Sequence, residues 1–189
     1  SCRRYHWSVY EGQLIWFNKG HIEYNINFLN NINKNIFNNL TYRFHVQYGQ
    51  NEVKDIVDSF PKIKISLRED NFDFYQLLFN SRVVINTSDY TANLQSLRMD
   101  IPTLWLWDPN YHTVREESKV FYDRLHEAGI LFYSSEECAK KLNHIYDDPM
   151  TWWNSKEVKK AKDYFLNNFA NYSDSIADEI VKISKSISN

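Results

Sequence analysis

A chain of 189 residues with a net charge of −2 can bury one sizeable core, and it lacks the excess of Lys and Arg that neutralising nucleic-acid phosphates demands. Its four glycines, Gly12, Gly20, Gly49 and Gly129, form neither the G-x-G-x-x-G of a dinucleotide site nor a Walker A loop. Cys2 and Cys138 are too few for a disulfide framework or a thiolate metal site and fit a reducing cytoplasm, and no apolar run reaches the roughly 18 residues that crossing a bilayer takes.

Residues 1–20 begin with Ser and carry no initiation or secretion signature, so the chain reads as a fragment whose first 20 residues are a linker or the start of a domain. Val9, Leu14, Ile15, Trp16 and Phe17 stand among polar residues there, a pattern that suits a strand or hairpin. From residue 21, Ile22, Ile26, Leu29, Ile32, Ile36 and Leu40 recur at spacings of three and four and predict one helix to residue 40, its other face mostly asparagine. Asparagine is a mediocre helix former, so packing of the apolar stripe has to hold that helix.

Residues 41–46 alternate Tyr42, Phe44 and Val46 against Arg43 and His45, which predicts a strand with residues 48–51 as its exit turn. A helix follows over 52–60 with Val53, Ile56, Val57 and Phe60 on one face, closed by Pro61; Ile63 and Ile65 mark a short strand. Asp70 or Asn71 can cap the next helix, with Phe72, Tyr75, Leu78 and Phe79 packing inward.

The run Val83-Val84-Ile85 is a buried strand stopped by polar Asn86-Thr87-Ser88-Asp89, and a helix through Leu94 and Leu97 leads to a second apolar strand over 101–107. That strand ends in the polar loop 108–112. Beyond it come a helix over 116–128 with Gly129 as its C′ glycine, a strand over 130–133, and a helix capped by Ser134 or Ser135 that turns Cys138, Leu142 and Ile145 inward. Asp147-Asp148-Pro149 breaks it, and two helices carry Val158, Ala161, Phe165 and Phe169, then Ile176, Ile180, Ile183 and Ile187. Those stripes exceed what a covered sheet needs, so part of the tail is expected to cross to another domain and to leave an apolar patch exposed.

Regular alternation of strand and helix predicts an α/β fold, a Rossmann-like doubly wound parallel sheet with C-terminal helices. Successive βα units bring the loops after residues 85 and 107 to one edge, where open α/β sheets bind ligands. At the first loop, Ser88, Asp89, Tyr90 and Thr91 precede a helix whose unpaired N–H groups suit a phosphate; an ordinary N-cap box accounts for the same residues. Gln95 stands one turn further on, within reach of a ribose hydroxyl. At the second loop, His112 and Arg115 can meet a phosphate, or Arg115 can belong with Glu116, Glu117 and Lys119 to a solvated helix face. His126 and His144 have no ligand spacing and no G-x-S-x-G elbow surrounds a serine, so neither a metal nor a serine nucleophile is expected.

The block 83–103, with Leu94-Gln95-Ser96-Leu97 and Asp100-Ile101-Pro102-Thr103, resembles the donor-binding half of GT-B glycosyltransferases. Arg43 with Tyr48-Gly49, then Trp107-Asp108-Pro109-Asn110, Arg115, Glu127-Ala128-Gly129-Ile130 and Trp152-Trp153-Asn154-Ser155 resemble a bacterial transferase family of surface-carbohydrate (lipopolysaccharide and capsule) gene clusters. The likeness covers most of the chain after Tyr24. It implies that residues 21–189 are a Rossmann-like, nucleotide-sugar-binding C-terminal domain of a longer two-domain glycosyltransferase, inactive alone, working in the cytoplasm or at the inner face of its membrane.

The nucleotide sugar is then a substrate and no cofactor is implied. Donor-binding residues would be Ser88, Asp89, Tyr90, Thr91, Gln95, Asn110, His112, Arg115 and Arg43, while acceptor and catalytic base would come from an N-terminal domain of the same protein. Gln95 stands where many GT-B enzymes place an acidic ribose ligand. The rival reading keeps the fold for non-catalytic protein or glycan binding.

Overall fold

Strand β4, Thr103–Leu106, has no polar face. Leu104 and Leu106 enter one apolar cluster while Trp105 and the following Trp107 enter another, so both sides of this strand have to be covered. β3 (Val84–Asn86) and β5 (Leu131–Phe132) flank it in parallel, with Ile85 in register with Leu104 and Trp105 with Leu131. A second parallel pair, β1 (Thr41–Arg43) and β2 (Lys64–Ser66), sets Tyr42 against Ile65.

The computed structural model describes residues 15–44, 50–66, 73–87, 91–108, 110, 113–170, 175, 180 and 185. Among these the chain is mixed α/β, with many helices and two small parallel sheets of order β1-β2 and β3-β4-β5, where the sequence suggested a single sheet. The strands run only two to four residues, short enough that few ladder bonds are available to join one sheet to the other.

On one side of β4 lie Phe28 and Leu29 of α1 (Ile15–Asn31), Ile32 just past it, Ile36 of α2 (Lys34–Asn39), Ile56 of α3 (Gln50–Ser59), and Cys138, Leu142 and Ile145 of α7 (Ser135–Ile145). On the other lie Leu97 of α5 (Thr91–Arg98), Leu125 of α6 (Lys119–Glu127), Trp153 of α8 (Pro149–Trp153), and Val158, Phe165 and Leu166 of α9 (Lys156–Phe169).

Two turns of one design feed β4 and β5. After α5, the N–H of Asp100 bonds Leu97 O and that of Ile101 bonds Ser96 O; after α6, Gly129 bonds His126 O and Ile130 bonds Leu125 O. Both are Schellman turns, which need a left-handed residue, and Gly129 supplies it at φ 69. Asp100 takes φ 58 despite its side chain, which accepts from Trp153 Nε1 at 2.8 Å and pairs with Lys162 Nζ, so the strained residue anchors α8 and α9.

Several expectations are corrected. Of the strand or hairpin expected before Gly20, residues 1–14 lie outside the described residues and residues 15–20 are helix. The helix over 21–40 breaks at Ile32-Asn33 because Asn143 of α7 takes the Asn33 N–H on its Oδ1 at 2.7 Å and gives its amide to Asn31 O at 2.9 Å. The strand over 41–46 is strand only to Arg43, residues 45–49 lie outside the described residues, and Gln50 and Asn51 of the expected turn already belong to α3.

α4 (Phe74–Phe79) is capped by Asp73, whose carboxylate accepts from Tyr75 N at 2.9 Å, while Asp70, Asn71 and Phe72 lie outside the described residues. Tyr75 and Phe79 are exposed, 47% and 68%, because six residues give one inward turn, which Leu78 fills. Residues 116–118 form a 3-10 turn before α6. Within the tail, Trp153 of α8 and Phe165 of α9 are buried against their own sheet. Of the later stripe, Ile180 is exposed and Ile176, Ile183 and Ile187 lie outside the described residues.

Candidate functional site

Because β3, β4 and β5 are parallel, Asn86-Thr87, Trp107-Asp108 and Tyr133-Ser134 emerge at one edge. At the end of β3, Asn86 Nδ2 donates to Ser96 Oγ at 3.1 Å, and that hydroxyl donates to Asn93 O at 3.1 Å, tying the strand to α5. At the end of β4, Asp108 is buried and its Oδ1 accepts from Asn110 N at 2.9 Å and Nδ2 at 2.8 Å, which sets the loop's first turn. At the end of β5, Ser134 caps α7 by accepting from Glu137 N.

α1 runs across this edge. Its His21 Nε2 stands 3.5 Å from Thr87 Oγ1, Tyr24 Oη donates to Trp107 O at 3.3 Å, and Ser135 Oγ donates to Tyr24 O at 2.9 Å. Asn27 gives its amide to Glu136, whose carboxyl is held below its usual range by that bond, by its own backbone N–H and by the Ser134 hydroxyl. One helix thus meets the ends of β3, β4 and β5 in turn. Burial, and then the Asp108 carboxylate, push the Tyr24 phenol far above its ordinary value, so at neutral pH it acts as a hydrogen-bond donor and not as a base.

Thr91 is the exposed first residue of α5. Gln95, half-buried, turns its amide to Tyr75 Oη at 3.1 Å. Arg43 ends β1 on the other sheet, donates to Ser66 Oγ at 2.8 Å, and holds its guanidinium carbon 5.9 Å from the Phe74 ring centre. Arg43 and Gln95 therefore converge on neighbouring aromatic residues of α4. Asn110 is exposed but commits its amide to Asp108, and Arg115 is exposed just ahead of the 3-10 turn. Ser88, Asp89, Tyr90 and His112 lie outside the described residues. β3, which carries the first loop, is the edge strand of its sheet and not its centre.

Reading the sequence alone missed His21, Tyr24, Asn25 and the turn-forming role of Asp108. The signal was available in α1: positions 21, 24 and 25 form a polar i, i+3, i+4 stripe beside the apolar one, and a stripe of that spacing on a packed helix faces something specific. Among the described residues no group of His, Cys, Asp and Glu can hold a metal ion, and no helix is long and apolar enough to cross a membrane.

The chain is thus a mixed α/β protein whose three-stranded parallel sheet has hydroxyl, carboxylate and imidazole groups at the C-terminal ends of its strands, the edge at which open α/β sheets bind ligands. The chain belongs to the LIC12162 transferase family, described as LIC12162 family transferase and matched over residues 3–183. No curated protein and no solved structure matches the chain.

Proposed function

We propose that this member of a transferase family is the donor-binding domain of a glycosyltransferase that builds bacterial surface polysaccharide. Its two parallel sheets would be parts of one Rossmann-like, GT-B-type C-terminal domain over residues 21–189, with acceptor and base supplied by an N-terminal domain of the same protein in the cytoplasm or at the inner membrane face. The observation that carries the reading is the convergence of Thr87, Asp108, Asn110 and Ser134 at one edge of β3-β4-β5. That is where the C-terminal ends of parallel strands place ligands.

In this reading the bond from the sugar's anomeric carbon to the phosphate oxygen breaks, an acceptor hydroxyl bonds that carbon and yields its proton to the base of the N-terminal domain, and the leaving phosphate gains charge. Backbone N–H groups at the start of α5 and the exposed Arg115 would stabilise it through charge-assisted bonds, the largest kind of term such a site can supply. The contacts of Arg43 with Ser66 and Phe74 place it beside the second sheet, where it suits the base or ribose better than the phosphate.

Calorimetry of the full chain against UDP-glucose, GDP-mannose and CMP-N-acetylneuraminic acid tests this. Binding of one nucleotide class is expected; no heat with any of the three favours the rival, a non-catalytic domain that binds protein or glycan.

A further inference from the structure

Residues 20–25 of α1 are held differently from the residues that follow. Phe28 and Leu29, and Ile32 just past the helix, bury in the apolar core, whereas residues 20–25 add to the burial of Ile22 and the packing of Tyr24 a set of polar contacts: His21 with Thr87, Tyr24 with Trp107 O, and Asn25 Nδ2 with Tyr42 Oη at 3.0 Å. Asn25 is 1% exposed, and its Oδ1 has no hydrogen-bond partner among the described residues. An apolar side chain would fill that place without leaving a buried acceptor unmatched, so packing alone does not account for the polar stripe.

The geometry of the stripe has a simple origin. Three residues of helix rise about 4.5 Å, close to the roughly 4.8 Å between neighbouring strands. A helix laid across the strand ends therefore sets residue i over one strand and i+3 over the next. His21 sits against the residue that follows β3 and Tyr24 against the residue that follows β4, as that match requires. α1 is a crossbar whose His21 and Tyr24 face the same edge as the loops after those strands.

We propose that α1 closes the site at the ends of β3 and β4, and that His21, beside the Thr87 hydroxyl it touches, contacts the phosphate of the bound nucleotide. This rests on the donor-site reading above. The half-buried imidazole, carried by α1, and the Thr87 hydroxyl, carried by the sheet, stand side by side, so that one anion can meet both groups. Tyr24, locked to Trp107 O and carrying Ser135 on its own carbonyl, is a positioning residue that fixes the helix's height above the edge.

Calorimetry on the full chain, comparing UDP with uridine, GDP with guanosine and CMP with cytidine, isolates the phosphate contact. Wild type is expected to prefer one nucleotide over its nucleoside, and His21→Ala to shrink that preference at least tenfold, with His21→Gln between the two. Asn143→Ala, which loosens the far end of α1 at a site remote from the edge, should leave the preference within twofold. A His21→Ala protein that melts as a folded chain and keeps the full preference overturns the inference while leaving the donor-site reading intact. Equal weakening toward nucleotide and nucleoside overturns it as well, by reducing His21 to a structural part. If wild type binds none of the six compounds, the donor-site reading fails first, and the role of His21 goes with it.

Discussion

One face of the three-stranded sheet and the C-terminal edge of its strands solve different problems. Beneath α5, α6, α8 and α9 the side chains are large and dry: Trp105 stacks on Trp107 at 5.6 Å, Phe165 meets Trp105 edge-on at 5.3 Å, and Trp153 is fully buried. At the C-terminal edge beneath α1 the contacts are hydroxyl, imidazole, amide and carboxylate groups held by directional bonds. Apolar burial contributes roughly 25 cal/mol per Å², whereas an intramolecular hydrogen bond nets only about 1 kcal/mol, so the first region carries the stability and leaves the second free to carry chemistry.

The comparison predicts that damage on the apolar side moves melting and spares binding. Phe165→Ala should cost about 3–5 kcal/mol, a fall of about 10 °C or more in the melting temperature, with donor affinity of the remaining folded protein unchanged. Loss of affinity at a temperature where the variant is folded would show that the two regions are not separate.

The polar exception inside the apolar layer gives a smaller effect. Lys162 is 8% exposed at its side chain and pairs with Asp100, which is 62% exposed. Asp100→Ala strands a buried ammonium and should cost about 2 kcal/mol, reduced from the fully buried case by solvent at Asp100, whereas Lys162→Met should cost less than about 1 kcal/mol. Equal losses from the two changes, measured by urea denaturation, would mean that the pair contributes through its attraction and not through the cost of breaking it.

Alkali probes the apolar cluster on the opposite side of β4, at Cys138. Burial raises its thiol well above the ordinary value, so the folded chain keeps the proton that the unfolded chain releases above roughly pH 8.5. The folded-state value is the higher one; stability is therefore fully present below the unfolded value and falls as pH rises past it, by about 2 kcal/mol at pH 10. Cys138→Ala should flatten that part of a stability-versus-pH curve, and an unchanged slope would point to other groups.

On the polar side, Arg115→Ala should weaken donor binding about tenfold, near 1.4 kcal/mol, with melting unaltered since the residue is exposed. Unchanged affinity in a chain that binds donor would assign Arg115 to the solvent-facing start of α6. The smallest effect belongs to a turn: Gly129→Ala should cost about 1 kcal/mol, because the added methyl meets Lys141 Cε at an ordinary 3.4 Å and the penalty lies in the backbone at φ 69. A neutral outcome in thermal melts would mean the turn can relax.

Much of the framework was legible because periodicity and caps are local. The apolar runs at 83–85 and 101–107, the Ser134 cap and the Gly129 turn all come from residues close in sequence. What escaped depends on partners far along the chain. The break between α1 and α2 is imposed by Asn143, more than a hundred residues away, and the left-handed Asp100 is tolerated through Trp153 and Lys162. Division into two sheets reflects strands too short to reveal their neighbours, and the exposure of Tyr75 and Phe79 reflects a helix of six residues where a longer one was expected. For the site, the edge followed from parallel βα order, while the crossbar did not, since nothing near Thr87 in sequence points to His21.

Hydrogen–deuterium exchange of the full chain, with and without a saturating sugar nucleotide that it binds, tests the account most directly. Protection is predicted in residues 20–25 of α1 and in the first turn of α5, with α8 and α9 unchanged. Protection confined to α8 and α9 or to α4, with residues 20–25 exchanging as before, would contradict a site walled by α1 at the C-terminal edge of β3 and β4.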